Sequence, residues 1–116
     1  MDIKRSKDVT MRVTEKCHGG EGALLCKNLL VGFESSDLRL MHNDFIPAGV
    51  SIGVHDHLLN EEVYYLLSGK GTLTFDGKTY EMKTGDVSLC ARGHSHGFLA
   101  EEDSVLIVVA TTRDPQ

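Results

Sequence analysis

Short segments rich in β-branched and aromatic residues, each closed by turn residues, recur along the chain from about residue 10 onward. No long segment shows the periodicity of an amphipathic helix, in which apolar residues recur about every 3.6 positions. Short strands separated by turns at intervals of roughly 8–12 residues are typical of β-sandwiches and β-barrels. The sequence therefore predicts an all-β fold.

Turn residues delimit about ten candidate strands within this pattern. Asp76 and Gly77 form a typical two-residue hairpin loop, which predicts an antiparallel pair of strands on either side. Residues 105–110 are apolar on both faces, so we expect this strand to lie inside the domain or under a second chain. The predicted strands span residues 11–15, 23–31, 38–46, 50–57, 62–67, 72–75, 78–81, 87–90, 97–100 and 104–111.

Composition and charge exclude several classes of protein. Acidic residues outnumber basic residues by 17 to 12, whereas a nucleic-acid-binding surface requires clustered basic residues. The longest uncharged apolar run, residues 105–110, is far shorter than the ~20 residues that span a bilayer, and the first residues lack the apolar stretch of a signal peptide. The three cysteines include no C-x-x-C pair, which indicates reduced thiols. We therefore expect a cytoplasmic protein with neither a nucleic-acid nor a membrane partner.

Four of the six histidines form two His-x-His pairs, His55 with His57 and His94 with His96. Residues two apart on a strand project from the same face, and imidazole is the commonest metal ligand, so each pair can converge on one ion. A carboxylate from residues 61–62, both glutamates, would return beside the first pair on the next strand. A single His-x-His pair also occurs often among histidines that bind no metal, but the presence of a second pair favours a metal site. Two histidines and a carboxylate leave coordination positions open, as in catalytic metal sites.

The spacing of these residues resembles the first of the two motifs that define the cupin superfamily of small β-barrel proteins. That motif runs Gly, five residues, His-x-His, three or four residues, Glu, six residues, Gly. Every position is matched here, from Gly49 through His55, His57 and Glu62 to Gly69.

The second cupin motif runs Gly, five residues, Pro-x-Gly, two residues, His, three residues, Asn. Gly85, Gly93 and His96 match it, whereas Ala91 replaces the proline and Ala100 replaces the asparagine. Neither of these two positions supplies a metal ligand in the family. The resemblance is specific for residues 49–100.

The resemblance implies a jelly-roll β-barrel, also called a double-stranded β-helix, formed by a single domain over residues 1–116. The conserved barrel core would occupy about residues 38–111, after an N-terminal arm and strands in residues 1–37. The resemblance also implies one divalent transition metal (Mn, Fe, Ni, Co or Zn) as cofactor. Its ligands would be His55, His57, Glu62 and His96, and His94 would be a pocket residue or an exposed turn residue.

Small single-domain cupins include dioxygenases, isomerases and epimerases, decarboxylases, lyases and proteins that only bind a ligand. The favoured prediction is a metal-dependent enzyme acting on a small carboxylate- or hydroxyl-bearing metabolite in the barrel. The alternative is a non-catalytic binding or sensor protein whose metal anchors its ligand. An enzyme requires a proton-transfer group near its substrate, and the candidates are Tyr64, His94 and Glu61. His18 and His42 have no partner at ligand spacing and are predicted to be surface residues.

A homodimer is predicted from the strands in the two outer parts of the chain. The strand at residues 104–111 is apolar on both faces, and the strands at 11–15 and 23–31 would otherwise leave sheet edges exposed. Small cupins commonly pair their sheets or exchange N-terminal strands, and the resemblance implies the same here.

Overall fold

The structure, a computed structural model, describes residues 1–112 and places ten strands within them. Three short 3₁₀ turns lie before the first strand, after it and after the second: Ser6–Asp8, Cys17–Gly19 and Gly32–Glu34. Within residues 1–112 there is no helix with the length and apolar character needed to cross a bilayer. The strands are β1 (Thr10–Glu15), β2 (Ala23–Leu30), β3 (Leu38–Ile46), β4 (Ser51–His57), β5 (Glu62–Ser68), β6 (Lys70–Phe75), β7 (Lys78–Lys83), β8 (Val87–Cys90), β9 (His94–Ala100) and β10 (Ser104–Thr111).

The strands form two antiparallel sheets. The larger sheet has six strands in the order β1-β2-β3-β10-β5-β8, and the smaller has four in the order β4-β9-β6-β7. Neighbouring strands are often far apart in the sequence, as where β10 lies between β3 and β5. Double-sheet antiparallel folds of this kind are jelly rolls, which confirms the predicted all-β jelly-roll barrel.

All ten predicted strands are confirmed, and nine of them begin and end within two residues of their predicted bounds. The exception is β9, which begins at His94 rather than at residue 97, because its first residues pair with the end of β4. The predicted hairpin is also confirmed, since Asp76 and Gly77 both have positive φ, at 47° and 79°, between β6 and β7. Of the last five residues, 112–116, only Thr112 lies among the described residues.

The core lies between the two sheets, and strand alternation determines which side chains enter it. On β5 the side chains of Tyr64 and Leu66 are buried, whereas Tyr65 and Leu67 are exposed on the other face. On β10, every second residue is buried, and the residues between them are half-buried on the outer face of the larger sheet. One face of this sheet is therefore closed by the core, and the other is apolar but open.

Candidate metal centre

The two sheets together supply the four predicted metal ligands. Strand β4 of the smaller sheet carries His55 and His57, and the neighbouring β9 carries His96, the register partner of His55. Glu62 is the first residue of β5 in the larger sheet. One ligand atom from each of these four residues lies within 4.8 Å of the others. The structure therefore brings the whole predicted set together.

The Oε1 atom of Glu62 is close to all three imidazoles. It lies 2.9 Å from Nε2 of His96, 3.4 Å from Nε2 of His57 and 3.6 Å from Nε2 of His55. The Nε2 atoms of His57 and His96 are 3.0 Å apart. Ligand atoms bound side by side at ~2.1 Å from a first-row metal are separated by about 3 Å. These spacings fit donors that share one ion.

Hydrogen bonds outside the cluster determine which ring nitrogens face its centre. Nδ1 of His55 donates to the carbonyl oxygen of Gly53 at 2.8 Å. Nδ1 of His57 donates to Oδ1 of Asn60 at 2.9 Å, and Nδ2 of Asn60 donates to the Thr111 carbonyl at 3.1 Å, which orients the amide. Both imidazoles therefore direct an unprotonated Nε2 inward, and partners of this kind orient metal-binding histidines in proteins.

The chemistry of the four donors fits a divalent metal. Nε2 of His55 is buried with no hydrogen-bond partner among the described residues. Buried acceptors without a partner are rare in proteins, and a cation at this point would satisfy the nitrogens and the carboxylate together. Three imidazoles and one carboxylate suit Mn, Fe, Co, Ni and Zn.

The electrostatics of the cluster keep Glu62 in the form that a metal requires. Burial alone would raise the pKa of Glu62, but the imidazoles of His55 and His96 outweigh it and lower that pKa to about 2. Burial lowers the pKa of His96. Burial also acts to lower the pKa of His55, yet the adjacent Glu62 raises it overall. At neutral pH Glu62 is thus an ionised carboxylate, which is the state that binds metals.

Tyr64 packs against the metal cluster from the core side. Its ring stacks on the imidazole of His96, with centroids 4.0 Å apart and planes 9° from parallel. The side chain is 1% exposed, and its hydroxyl has no hydrogen-bond partner among the described residues. Burial raises the pKa of Tyr64 well above its ordinary value, so the phenol stays protonated at neutral pH.

Two cavities adjoin the cluster. The outer cavity has a volume of about 510 Å³, and its wall includes His57, Asn60 and the basic side chain of Arg39. The inner cavity has a volume of about 160 Å³ and is lined by residues from β1, β2 and β3 as well as by Tyr64. His55 and Glu62 line both cavities. A ligand in either space can therefore reach the cluster.

The three candidates for proton transfer differ in their position relative to the two cavities. Tyr64 lines the inner cavity. His94 is exposed, hydrogen-bonds the carboxylate of Asp76 and stacks on a ring of β6, and it is not among the described residues that line either cavity. The main chain of Glu61 is paired with Thr111, and Glu61 is likewise absent from the described lining of both cavities.

The two histidines predicted to be surface residues without partners both lie near the site. His18 is exposed, as predicted, but its ring stacks on His55, with centroids 3.6 Å apart and planes 10° from parallel. His42 is half-buried on β3 and lines the inner cavity, so the prediction of a surface position is wrong. Strand alternation places His42 on the same face as the buried Asp44, two residues further on, and a search restricted to pairs of histidines does not reveal this pair.

Sequence reasoning also missed how the 3₁₀ turn Cys17–Gly19 reaches the cluster. A Cβ atom at Gly53 would lie 2.1 Å from the carbonyl oxygen of His18, and one at Gly20 would lie 2.2 Å from that of Ser51. The absence of these side chains lets the turn approach β4 and carry His18 onto His55. A glycine inside a predicted strand is a known signal of close backbone approach, and Gly53 is such a glycine.

The fold and the cluster together define a jelly-roll barrel with a candidate metal centre between its two sheets. Residues 42–112 match the family model described as Cupin domain. The chain belongs to the cupin family.

The similarity to individual cupins extends beyond this segment. The chain is 33% identical over 95 residues to a protein of Thermotoga maritima named "Oxalate-binding protein", which covers 81% of this chain and 78% of that protein. It resembles a crystal structure of "a predicted oxalate decarboxylase" from Thermotoga maritima at 30% identity, with a TM-score of 0.83, covering 94% of this chain and 96% of the other. The structure of KdgF from Halomonas sp. shares the fold at 19% identity, with a TM-score of 0.71 and coverage of 90% and 88%.

Proposed function

We propose that His55, His57, Glu62 and His96 bind one divalent transition metal, and that this metal anchors a small carboxylate in the adjoining cavities. The observation that carries the proposal is the convergence of two oriented imidazole nitrogens, a third imidazole and an ionised carboxylate within 4.8 Å, on a wall shared by both cavities. When bound, such a metal supplies Lewis acidity at coordination positions that the four protein donors leave open.

The lining of the outer cavity supports an anionic ligand. Arg39 contributes a permanent positive charge to a wall that also carries the acidic side chains of Asp56 and Glu62, the latter a proposed metal ligand, and three apolar leucines. An arginine favours carboxylates because its planar group can donate two parallel hydrogen bonds. The names of the two Thermotoga maritima relatives support oxalate as a first probe of this class.

Titration calorimetry with oxalate tests the proposal. Protein loaded with Mn²⁺ should bind oxalate, whereas protein treated with a chelator should not. Arg39→Ala should weaken oxalate binding while leaving the metal content unchanged, because Arg39 lines the cavity without belonging to the metal cluster. Equal oxalate binding with and without metal would contradict the proposed anchoring role.

Catalysis is a second candidate, and the position of Tyr64 favours it. A protonated phenol in the cavity next to the cluster can donate a hydrogen bond or a proton to a bound substrate. Tyr64→Phe preserves the ring that stacks on His96 and removes only the hydroxyl. An enzyme should lose turnover in this variant and retain its metal, whereas a non-catalytic binding protein should show no turnover of candidate carboxylates in either form.

We also propose a homodimer formed through the outer face of the larger sheet. Exposed apolar side chains from adjacent strands lie there in register, including Val13 on β1, Leu25 on β2 and Phe45 on β3. The half-buried outward residues of β10 continue this face.

The three cysteines are free, which supports a reducing compartment such as the cytoplasm.

A further inference from the structure

The inner cavity is lined by polar side chains at positions where a small barrel usually carries core residues. Arg12 on β1, Cys26 on β2 and Asp44 on β3 are successive register partners across three strands. His42 lies two residues before Asp44 on the same face of β3. Ligand atoms of Cys26, His42 and Asp44 lie within 4.8 Å of one another. These residues lie outside the two cupin motifs, the first of which begins at Gly49.

Besides Nε2 of His55 in the metal cluster, three buried polar groups facing this cavity have no hydrogen-bond partner among the described residues. They are the hydroxyl of Thr14, the Oδ1 atom of Asp44 and the hydroxyl of Tyr64. Asp44 is only 4% exposed. Buried polar atoms in proteins are almost always hydrogen-bonded, and the cavity volume of about 160 Å³ is far above the minimum for one water molecule. The space is therefore shaped for polar contents.

The types of these groups indicate what the contents can be. An ionised Asp44 only accepts hydrogen bonds, whereas the hydroxyls of Thr14 and Tyr64 donate or accept. A carboxylate placed here would face Asp44 directly, so like charges oppose it, although Arg12 on the same wall carries the opposite charge. A hydroxyl group can donate to Asp44 and accept from Thr14 or Tyr64. The chemistry therefore favours hydroxyls over a second carboxylate.

The inner cavity also adjoins the metal centre, since His55 and Glu62 form part of its wall. A molecule with its carboxylate at the metal would extend its other end towards Asp44. Oxalate has no hydroxyl to place there. A longer hydroxylated monocarboxylate provides both ends.

We propose that Thr14, Asp44 and Tyr64 form a hydroxyl-binding subsite, and that the natural ligand is a small hydroxycarboxylate with its carboxylate at the metal centre and a hydroxyl bonded to Asp44. The proposal rests on the metal-anchored carboxylate site described above. It adds the substrate class and assigns Asp44 as the residue that determines specificity.

The cluster of Cys26, His42 and Asp44 also contains donor types found in cation sites. The hydroxyls of Thr14 and Tyr64 argue for an organic ligand, because neutral hydroxyls are poor ligands for soft divalent metals. Burial and the neighbouring Asp44 raise the pKa of Cys26 to about 12, so its thiol is protonated at neutral pH. Both observations argue against a cation site. The experiment below nevertheless includes binding of a cation as the alternative outcome.

The test compares three carboxylates by calorimetry on the Mn²⁺-loaded protein: oxalate, D-erythronate and succinate. Erythronate and succinate have the same four-carbon length, but succinate has a second carboxylate where erythronate has its hydroxylated end. The wild type should bind erythronate more tightly than succinate. Asp44→Asn should weaken erythronate binding by about tenfold, as expected for the loss of one hydrogen bond to a charged group, and should leave oxalate binding unchanged.

Two further variants serve as a second probe and a control. Thr14→Val, which replaces the hydroxyl by a methyl group, should also weaken binding of erythronate but not of oxalate. Asp8→Asn, at an exposed position on the 3₁₀ turn Ser6–Asp8, should change neither. The cooperative thermal transition of each variant confirms that it is folded.

The outcomes separate the subsite from the metal centre. If oxalate binds but Asp44→Asn leaves erythronate binding unchanged, or weakens both ligands equally, the subsite is overturned and the metal-anchored site stands. If no carboxylate binds to the metal-loaded wild type, both proposals fail. If elemental analysis finds two metal ions per chain and Asp44→Asn removes one of them, the cluster is a cation site and the hydroxyl subsite is overturned.

Discussion

Nδ1 of His57 donates a hydrogen bond to Oδ1 of Asn60 at 2.9 Å, and this bond determines which nitrogen of His57 faces the metal cluster. Asn60 lies in the turn between β4 and β5, and its own amide group donates to the Thr111 carbonyl. The amide is thus anchored to the end of β10 and cannot rotate without losing a bond. The turn that joins β4 and β5, which both carry candidate metal ligands, therefore also orients one of those candidates, His57.

Replacing Asn60 should reduce metal affinity without removing any ligand. Asn60→Ala leaves Nδ1 of His57 without its acceptor, and loss of such a partner typically lowers metal affinity by about 10–100-fold. Asn60→Asp retains an acceptor for His57 and should preserve most of the affinity. Competition titration against a coloured chelator measures both variants. Equal affinities of the Ala variant and the wild type would show that this hydrogen bond does not orient the ligand.

Asp44→Asn should stabilise the metal-free protein at neutral pH and lose this effect in acid. Burial raises the pKa of Asp44 from 3.8 to about 6, although a hydrogen bond from Cys26 opposes the shift. Between these two pKa values the folded state binds more protons than the unfolded state, so the stability contributed by this residue falls as pH rises. Above pH ~6 the penalty corresponds to about 3 kcal/mol at most, and below pH ~4 it disappears.

Urea unfolding of the wild type and of Asp44→Asn, from pH 4 to pH 8, measures this difference. The gain in the variant should grow from near zero at pH ~4 to about 1–3 kcal/mol at pH ~7, with the buried amide of Asn offsetting part of it. A difference in unfolding free energy between the two proteins that does not vary with pH would contradict the raised pKa of Asp44. Stabilisation by removing a buried charge is also expected if Asp44 serves ligand binding at the expense of stability.

Phe45→Glu should convert the proposed dimer into a monomer. Phe45 is 38% exposed on the outer face of the larger sheet, where its neighbours Leu25 and Val105 are also apolar. A buried charge there would oppose association of two such faces. Light scattering should give about twice the chain mass of 12.7 kDa for the wild type and the single mass for the variant. Leu99→Glu, on the smaller sheet, is the matched control and should remain dimeric, while a monomeric wild type would refute the proposal.

Gly53→Ala should separate the 3₁₀ turn Cys17–Gly19 from β4. The new Cβ would lie 2.1 Å from the carbonyl oxygen of His18, so the turn must move away from β4. The ring of His18 then no longer stacks on the ring of His55. Overpacking of this kind typically costs about 1–3 kcal/mol. Thermal denaturation should show a lower midpoint than for Val54→Ala, a change at the adjacent exposed position. An unchanged midpoint would show that the turn does not depend on this close approach.

The strands and the metal cluster were predictable because they depend on local rules. The hairpin at Asp76 and Gly77 requires positive φ at both residues, which these residue types tolerate. Glu62 faces the same side as Tyr64 and Leu66 because side chains alternate along a strand. The four candidate ligands were implied by the resemblance to the cupin motifs, and the structure brings them together.

Other features of the fold and of the site depend on contacts between segments that are distant in the sequence. Local rules do not predict such contacts. The early start of β9 depends on its pairing with β4, and the position of His18 depends on the close approach of the chain at Gly53. The polar inner cavity arises because β1, β2 and β3 align Arg12, Cys26 and Asp44 in register. No spacing within one strand indicates such a row.

Metal content of the purified protein tests the central claim most directly. After loading with Mn²⁺ and removal of excess metal, elemental analysis should find about one equivalent per chain in the wild type and very little in His57→Ala or Glu62→Gln. His94→Ala, which alters an exposed histidine bonded to Asp76, should match the wild type. Circular dichroism confirms that each variant is folded. If folded His57→Ala protein still binds about one equivalent with unchanged affinity, the four residues do not form a metal centre.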